Sequence, residues 1–310
     1  MPQPPEGFRA ALESAFRDAG RPKPALIALE PIAGGSINQT FLLRAATGVF
    51  FCKWNAAAPA PMFRQEASGL AALQAAGSSL HIPRAIALWP DTVAEDTAAA
   101  ESGVTGPAIL VLEYLEPDAD GPSPKTWERF GRGLAELHRG SEDRFGWAQD
   151  NYCGLTLQEN GWESDWPAFY ARKRIAPLVD RLAGKGALAA ADRAVYDSLL
   201  EKLPDLLAHR PVPSLIHGDL WSGNFLAAAL GPALVDPAAY CADREAEWGM
   251  MSLFGNFPET VLDAYQESWP LPEGWRERQP LYQLYHVLNH FLLFGGSYGA
   301  QAIGIARKFT

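Results

Sequence analysis

The residues best equipped for chemistry stand together in Ile216-His217-Gly218-Asp219-Leu220-Trp221-Ser222-Gly223-Asn224-Phe225, followed by Ala233-Leu234-Val235-Asp236. Asp219 and Asn224 are five residues apart, and Asp236 closes a short apolar run twelve residues after Asn224. A carboxylate, an amide and a second carboxylate brought to one point suit one kind of reaction. The first carboxylate can take the proton of an attacking hydroxyl. The amide oxygen and the second carboxylate can hold a divalent cation against phosphate groups. A loop folded back between two short strands would bring the three together. Singly, His-Gly-Asp is a common turn or helix cap, and an acid at a strand end is ordinary; their joint occurrence in this order carries the chemical reading.

Upstream, Lys53 ends an apolar run, and Glu66 follows thirteen residues later within a helical pattern. This order matches the strand lysine of protein kinases, which grips the α- and β-phosphates of ATP and is oriented by a helix glutamate. Asp219 then falls on that fold's base, and Asn224 and Asp236 on its two Mg²⁺ ligands. A lysine buried at a strand end requires a carboxylate partner. The alternative is a solubility lysine on an edge strand with Glu66 on a solvated face, and the downstream trio favours the paired reading. Gly34-Gly35-Ser36-Ile37-Asn38 lies between the first two strand candidates, where glycines let backbone N–H groups approach phosphate oxygens, although no G-x-G-x-x-G is present. Glu113-Tyr114-Leu115 falls where an adenine would pair with backbone groups.

The elements that must position these residues are legible from periodicity. Strand patterns occupy Ala25–Ile32, Thr40–Arg44, Val49–Trp54 and Pro107–Leu115, and a helix pattern runs from Met62 to Ala76. Residues Asp91–Gly106 are acidic and Ala-rich and read as a loop or hairpin tip. After a linker at Glu116-Pro117-Asp118 and Gly121-Pro122, helical spacing dominates, first through Trp127, Phe130, Leu134 and Leu137, then through Trp166, Phe169, Tyr170, Leu178 and Leu182. Short strand-like pieces return at Ser214–His217 and Ala233–Val235. The expectation is an α+β chain in two lobes, residues 1–115 binding nucleotide and residues 116–310 carrying the catalytic and substrate residues, with the site in the groove between them.

Composition bounds the rest. With 26 basic against 36 acidic residues the net charge is −10, which argues against a nucleic-acid partner. Three scattered cysteines, Cys52, Cys153 and Cys241, make neither a disulfide framework nor a CxxC site, so a reduced, cytoplasmic setting is expected. The first twenty residues read as an amphipathic helix rather than a signal peptide, and the late apolar stretch Leu281–Ala306 is too interrupted for a membrane span. Some features read as structural. His286 and His290 are packing or capping residues, Arg172-Lys173-Arg174 is a solvated helix face, and Asp243, Arg244 and Glu245 form an ion-pair cluster behind the catalytic loop.

As a whole the sequence resembles the fructosamine kinase (ketosamine-3-kinase) family, relatives of the aminoglycoside and choline phosphotransferases within the protein-kinase-like fold. The likeness lies in HGDLWSGN with its Trp221, in Phe145-Gly146, Asp150-Asn151-Tyr152 and Gly154, in Gln158, Asn160-Gly161-Trp162 and Asp165-Trp166, in Asp243-Arg244-Glu245, and in Leu288-Asn289-His290 through Phe294-Gly295-Gly296 and Tyr298. It implies ATP- and Mg²⁺-dependent phosphorylation of the 3-hydroxyl of a small or protein-bound ketosamine, giving an unstable 3-phosphate that sheds the sugar and restores the amine. Some relatives carry a cysteine in the glycine-rich loop where this chain has Ser36, so redox control there is not expected. Trp221 and Trp162 are candidates to pack against the sugar-amine, with plain core packing as the alternative. Two other readings stay open: a phosphotransferase acting on an aminoglycoside, choline or another alcohol, and a pseudokinase that binds nucleotide without turnover. Oligomeric state is not readable.

Overall fold

The structure, a computed structural model, describes residues 4–32, 37–59, 61–90, 105–255 and 257–310. Five strands, β1 (Leu26–Ile32), β2 (Gln39–Ala45), β3 (Gly48–Pro59), β4 (Ala85–Trp89) and β5 (Thr105–Glu113), form one sheet in the order β1-β2-β3-β5-β4. Every neighbouring pair is antiparallel. Side chains alternate across the sheet. On one face Cys52, Trp54, Ile109 and Val111 pack under helix α1 (Phe8–Asp18) through Phe8, Leu12 and Phe16. On the other, Leu110 and Leu112 meet Phe63, Leu70 and Leu73 of helix α2 (Met62–Ala75). Lys53 therefore points to the α2 side, between two residues that point away from it.

Helices dominate beyond the sheet: α3 (Pro124–His138), α4 (Trp166–Tyr170), α5 (Ala176–Gly184), α6 (Ala190–Leu206), α7 (Glu245–Leu253), α8 (Glu259–Ser268), α9 (Trp275–Phe294) and α10 (Tyr298–Ala306). Helix α3 starts at a capping box in which the Ser123 hydroxyl accepts the Thr126 N–H and the Thr126 hydroxyl accepts the Ser123 N–H. Among them run three short antiparallel pairs. They are β6 (Asn151–Cys153) with β7 (Thr156–Gln158), β8 (Ser214–Ile216) with β11 (Tyr240–Ala242), and β9 (Phe225–Ala228) with β10 (Gly231–Leu234). The core does not stop at the lobe junction. Phe63 and Leu112 share one buried cluster with Phe130, Leu134, Leu220, Leu234 and Trp248.

Sequence periodicity and structure part in a few places. Strand β4 and the β6–β7 hairpin are too short to show an alternating pattern. The apolar run Pro107–Leu115 pairs from Thr105 to Glu113. Residues 91–104 of the expected loop, and Gly34, Gly35 and Ser36 of the glycine-rich stretch, lie outside the described residues. Of Arg172-Lys173-Arg174, Arg172 faces solvent and Lys173 is partly exposed, whereas Arg174 does not face solvent. The run forms a π-helical turn between α4 and α5 that turns Arg174 inward, fully buried. There its guanidinium lies 3.9 Å from the Tyr240 ring centre and donates to the Glu159 carbonyl at 2.6 Å and to Asn160 Oδ1 at 2.7 Å. A cation with an aromatic face and oxygen acceptors can be buried at modest cost.

Candidate active site

Strand β3 carries Lys53 into the space between the sheet and the later helices, where it is 4% exposed. Its ammonium meets two carboxylates, Glu66 Oε1 of α2 at 2.7 Å and Asp236 Oδ1 at 2.5 Å. Burial alone would lower its pKa, but Asp236 and Glu66 outweigh burial and hold it well above its ordinary value. Burial pushes the Glu66 carboxyl up, to about 7, with Lys53 pulling against that rise and Asp236 adding to it.

Opposite stands the loop from His217 to Asn224. Helix α7 supplies its anchor: fully buried Glu247 accepts the His217 N–H at 2.5 Å and the Gly218 N–H at 3.1 Å. The His217 ring ties the loop to the strand before Asp236, since Nε2 reaches the Val235 carbonyl at 2.9 Å while Nδ1 accepts the Asp219 N–H at 3.3 Å. This network assigns the proton to Nε2, and burial lowers the His217 pKa and keeps the ring neutral. Gly218 has φ +80°, and a Cβ there would stand 2.2 Å from the Ala238 carbonyl oxygen, so glycine is required. The Asn224 amide nitrogen donates to the Asp219 carbonyl at 2.7 Å, which reserves the amide oxygen for another partner. Asp236 adopts φ +61°, a left-handed conformation that aspartate tolerates better than most residues.

A second network holds the far side of Asp236. Asn151 donates to the Ala239 carbonyl at 2.9 Å, Gln158 donates to Asn151 Oδ1 at 2.8 Å and to the Ala238 carbonyl at 3.2 Å, and the Tyr285 hydroxyl donates to Gln158 Oε1 at 2.8 Å. Asn160 joins through Asn151 Oδ1 at 2.7 Å and passes the chain on to Arg174. All of these groups are buried. Buried amides in such numbers are tolerable only when paired, and here they fix the two residues that follow Pro237.

These elements enclose a cleft of about 550 Å³ whose lining includes Lys53, Glu66, Glu113, Tyr114, Leu115, Asp219, Trp221, Asn224 and Asp236. Asn38, whose Oδ1 accepts from Asn55 at 3.0 Å, lines it too. Trp221 is 40% exposed and folds over Gly223, with its ring 6.3 Å from that of Phe254. Trp162 is not among the lining residues; it is half-buried beneath the Arg144 guanidinium, 5.5 Å from its ring centre. Glu113 also holds Arg84 at 3.0 Å.

The charge balance of the cleft favours a cation. Glu66, Asp219 and Asp236 face a single ammonium. Burial first, then Asp236 and Glu247, hold the Asp219 carboxyl well above the usual carboxylate range, against the pull of Asn224 and Lys53. An amide oxygen and a carboxylate beside surplus negative charge are the donor set of a hard divalent ion such as Mg²⁺. The Asn224 and Asp236 side chains therefore fit the ion that kinase chemistry requires.

Some residues that matter here either carry little sequence signal of their own or read from sequence as structural. Glu247 is of the first kind, an acid marked only by its place inside the apolar helix segment Ala246–Met251. His286, read as packing, has its Nδ1 4.0 Å from Asp219 Oδ1. Within the trio Asp243, Arg244 and Glu245, Asp243 Oδ1 accepts the Glu245 N–H at 3.0 Å, while the ion pairs run to residues outside it. Asp243 takes His209 at 2.7 Å and Tyr282 at 2.5 Å, Glu245 takes Arg278 at 2.6 Å, and Arg244 stacks 3.8 Å over Trp269.

Comparison with known proteins bears on the family and the fold. The family model described as fructosamine kinase matches residues 14–309. A Synechocystis sp. protein named "Probable ketoamine kinase" is 39% identical over 274 residues, covering 87% of this chain and 86% of its own length. A Thermobifida fusca crystal structure, provisionally designated a fructosamine-3-kinase, superposes with a TM-score of 0.82 at 32% identity over 98% of both chains. An aminoglycoside phosphotransferase in a ternary complex with ADP and hygromycin B shares the fold, with a TM-score of 0.61 at 13% identity over 95% of both chains.

Proposed function

The chain belongs to the fructosamine kinase family, and from that premise we propose that it transfers the γ-phosphoryl group of ATP to the 3-hydroxyl of a ketosamine, a sugar joined to an amine by glycation. Residues 1–115 act as the nucleotide lobe and residues 116–310 as the catalytic and substrate lobe. The acceptor is a small or protein-bound glycated amine in the cytoplasm, and the 3-phosphate formed sheds the sugar and frees the amine. Among the described residues, no helix is long and apolar enough to cross a membrane. The observation that supports the reading most is the convergence of Lys53, Glu66, Asp219, Asn224 and Asp236 on one cleft.

In the mechanism, Lys53, oriented by Glu66, grips the α- and β-phosphates, and Asn38 lines the cleft beside them. Glu113, Tyr114 and Leu115 flank the adenine. Asn224 and Asp236 would hold Mg²⁺, which when bound would neutralise phosphate charge. Asp219 orients the acceptor hydroxyl and takes its proton as the O3–P bond forms and the bond from the γ-phosphorus to the ADP oxygen breaks. Such transfers are largely dissociative, so positioning and charge stabilisation are the main work, which suits a loop held as rigidly as this one. Trp221, at the mouth beside Asp219, is placed to cover the sugar-amine.

Asp219→Asn tests the assignment. It keeps the size of the side chain, so nucleotide binding and folding should persist while turnover drops by about 10²–10⁴-fold. An assay of ADP release with a fructosamine, a ribulosamine and an aminoglycoside, with the new phosphate located by NMR, reads both activity and acceptor. Near-normal turnover in the variant would remove Asp219 as the base, and phosphorylation of the aminoglycoside alone would move the acceptor class.

A further inference from the structure

Beside the catalytic carboxylate Asp219 lie two side chains that phosphoryl transfer does not use, Cys153 and His286. Cys153 ends β6, Asp219 sits in the loop after β8, and His286 lies on α9. Their ligand atoms, one sulfur, one oxygen and one nitrogen, all lie within 4.8 Å of one another. Cys153 is 3% exposed and His286 is 5% exposed. His286 Nδ1 is buried and has no hydrogen-bond partner, although it faces Asp219 Oδ1 at 4.0 Å. A buried ring nitrogen left without a partner calls for an explanation. Burial lowers the His286 pKa to about 3, with His290 and Arg174 acting in the same sense, so the ring is neutral and its nitrogen can serve as a ligand. The Cys153 thiol makes no disulfide.

We infer that Cys153, Asp219 and His286 form a site for a soft or borderline divalent cation, of which Zn²⁺ is the type, and that its occupancy blocks the enzyme by capturing the catalytic base. Sulfur, imidazole nitrogen and one carboxylate are a zinc donor set with a fourth position left open, whereas the Asn224–Asp236 pair offers only oxygen and suits Mg²⁺. The two sites are adjacent and differ in hardness. Tetrahedral zinc places such ligand atoms roughly 3.3–3.7 Å apart, so side-chain shifts of about 1 Å bring the three to bonding distance. The ion enters through the cleft, which Asp219 lines. On binding, the Cys153 S–H proton leaves to solvent, an S–Zn bond forms and water leaves the ion; no oxidant is involved. The effect on turnover rests on the proposed kinase chemistry, whereas the binding does not.

The test has two arms on the full chain. Without nucleotide, Co²⁺ as a spectroscopic stand-in for Zn²⁺ should give a thiolate-to-cobalt absorption that Zn²⁺ abolishes and that is absent in Cys153→Ser. In turnover assays at saturating Mg²⁺ and ATP, Cys153→Ser should keep basal activity yet require more than about tenfold more Zn²⁺ for half-inhibition, since a lost ligand exceeds the cost of a lost supporting contact. His286→Asn, checked for folding by circular dichroism, should weaken cobalt binding similarly. A cobalt spectrum and affinity unchanged in Cys153→Ser would overturn the site. So would zinc inhibition equal in both proteins and relieved by excess Mg²⁺-ATP. The cobalt arm needs no turnover, so failure of the kinase reading would leave it intact and distinguishable.

Discussion

The two walls of the cleft are built on different principles. On the sheet side, the Lys53 ammonium is held by charge-assisted contacts, shared between Glu66 and Asp236. On the helical side, the His217–Asn224 loop is held through its backbone, by a buried carboxylate, a neutral histidine and a glycine with no room for a side chain. Ion pairs can exchange partners when a phosphate arrives, because the attraction is non-directional and the new anion replaces the old one. Backbone hydrogen bonds to Glu247 cannot be exchanged without unmaking the loop. One wall is built to be re-paired by substrate, and the other to stay still while the proton moves.

The largest effect that would break this contrast comes from Lys53→Met. If Lys53 is a re-pairable cation, turnover should fall by about 10²–10³-fold, as for loss of one charge-stabilising donor, while the fold survives. The cost in stability should depend on pH in a definite direction. Glu66, left buried without its cation, has a folded-state pKa raised above its unfolded value, so its protonated form is favoured on folding. The variant should therefore be nearly as stable as the parent in mild acid and lose stability as pH rises through neutrality. Thermal melts at several pH values read this. A loss independent of pH would mean that Lys53 is a structural strut.

The static wall is tested next by Gly218→Ala. The added Cβ meets the Ala238 carbonyl at 2.2 Å and must hold φ +80°, so about 2–4 kcal/mol should be lost by denaturant titration. Gly77→Ala is the control, because it has φ +69° but nothing within 4 Å of its Cβ and should cost only about 1 kcal/mol. Equal losses would show that strain alone, not the packing of the loop on Ala238, makes Gly218 necessary.

The contrast also explains what the sequence could reveal. The re-pairable wall and the reacting groups are side chains with conspicuous chemistry, so Lys53, Glu66, Asp219, Asn224 and Asp236 announced themselves by type and order. The strand alternation around Lys53 and the helical spacing of α2 were long enough to show their period. The supports were quiet for physical reasons. Glu247 contacts backbone, which carries no sequence signal in its partner. Arg174 is buried by a π-turn, and a single inserted residue per turn rotates a face that helical periodicity had assigned to solvent. Asn151, Gln158 and Asn160 carry only a family likeness in the sequence, because amides advertise no role until their partners at Ala238 and Ala239 are known. Trp162 and Trp221 share a residue type, and only the fold separates one under Arg144 from one at the cleft mouth.

The smallest expected effect, a displaced pH limb, sharpens the comparison most, because it reads both walls at once. Asp219 must be ionised to accept a proton, so turnover falls as pH falls through its pKa. Burial, Asp236 and Glu247 all raise that pKa in the free protein, so the acid limb of kcat/KM should lie above the ordinary carboxylate value of about 4. A divalent cation beside Asn224 and Asp236 adds positive charge near Asp219 and neutralises one of the carboxylates that raise it. The acid limb of kcat, which belongs to the loaded enzyme, should therefore lie at lower pH than that of kcat/KM. The displacement is the signature of a fixed base whose electrostatic surroundings are re-paired by substrate. If the two limbs coincide near pH 4, Asp219 does not feel Asp236, and the cleft walls are not electrostatically joined.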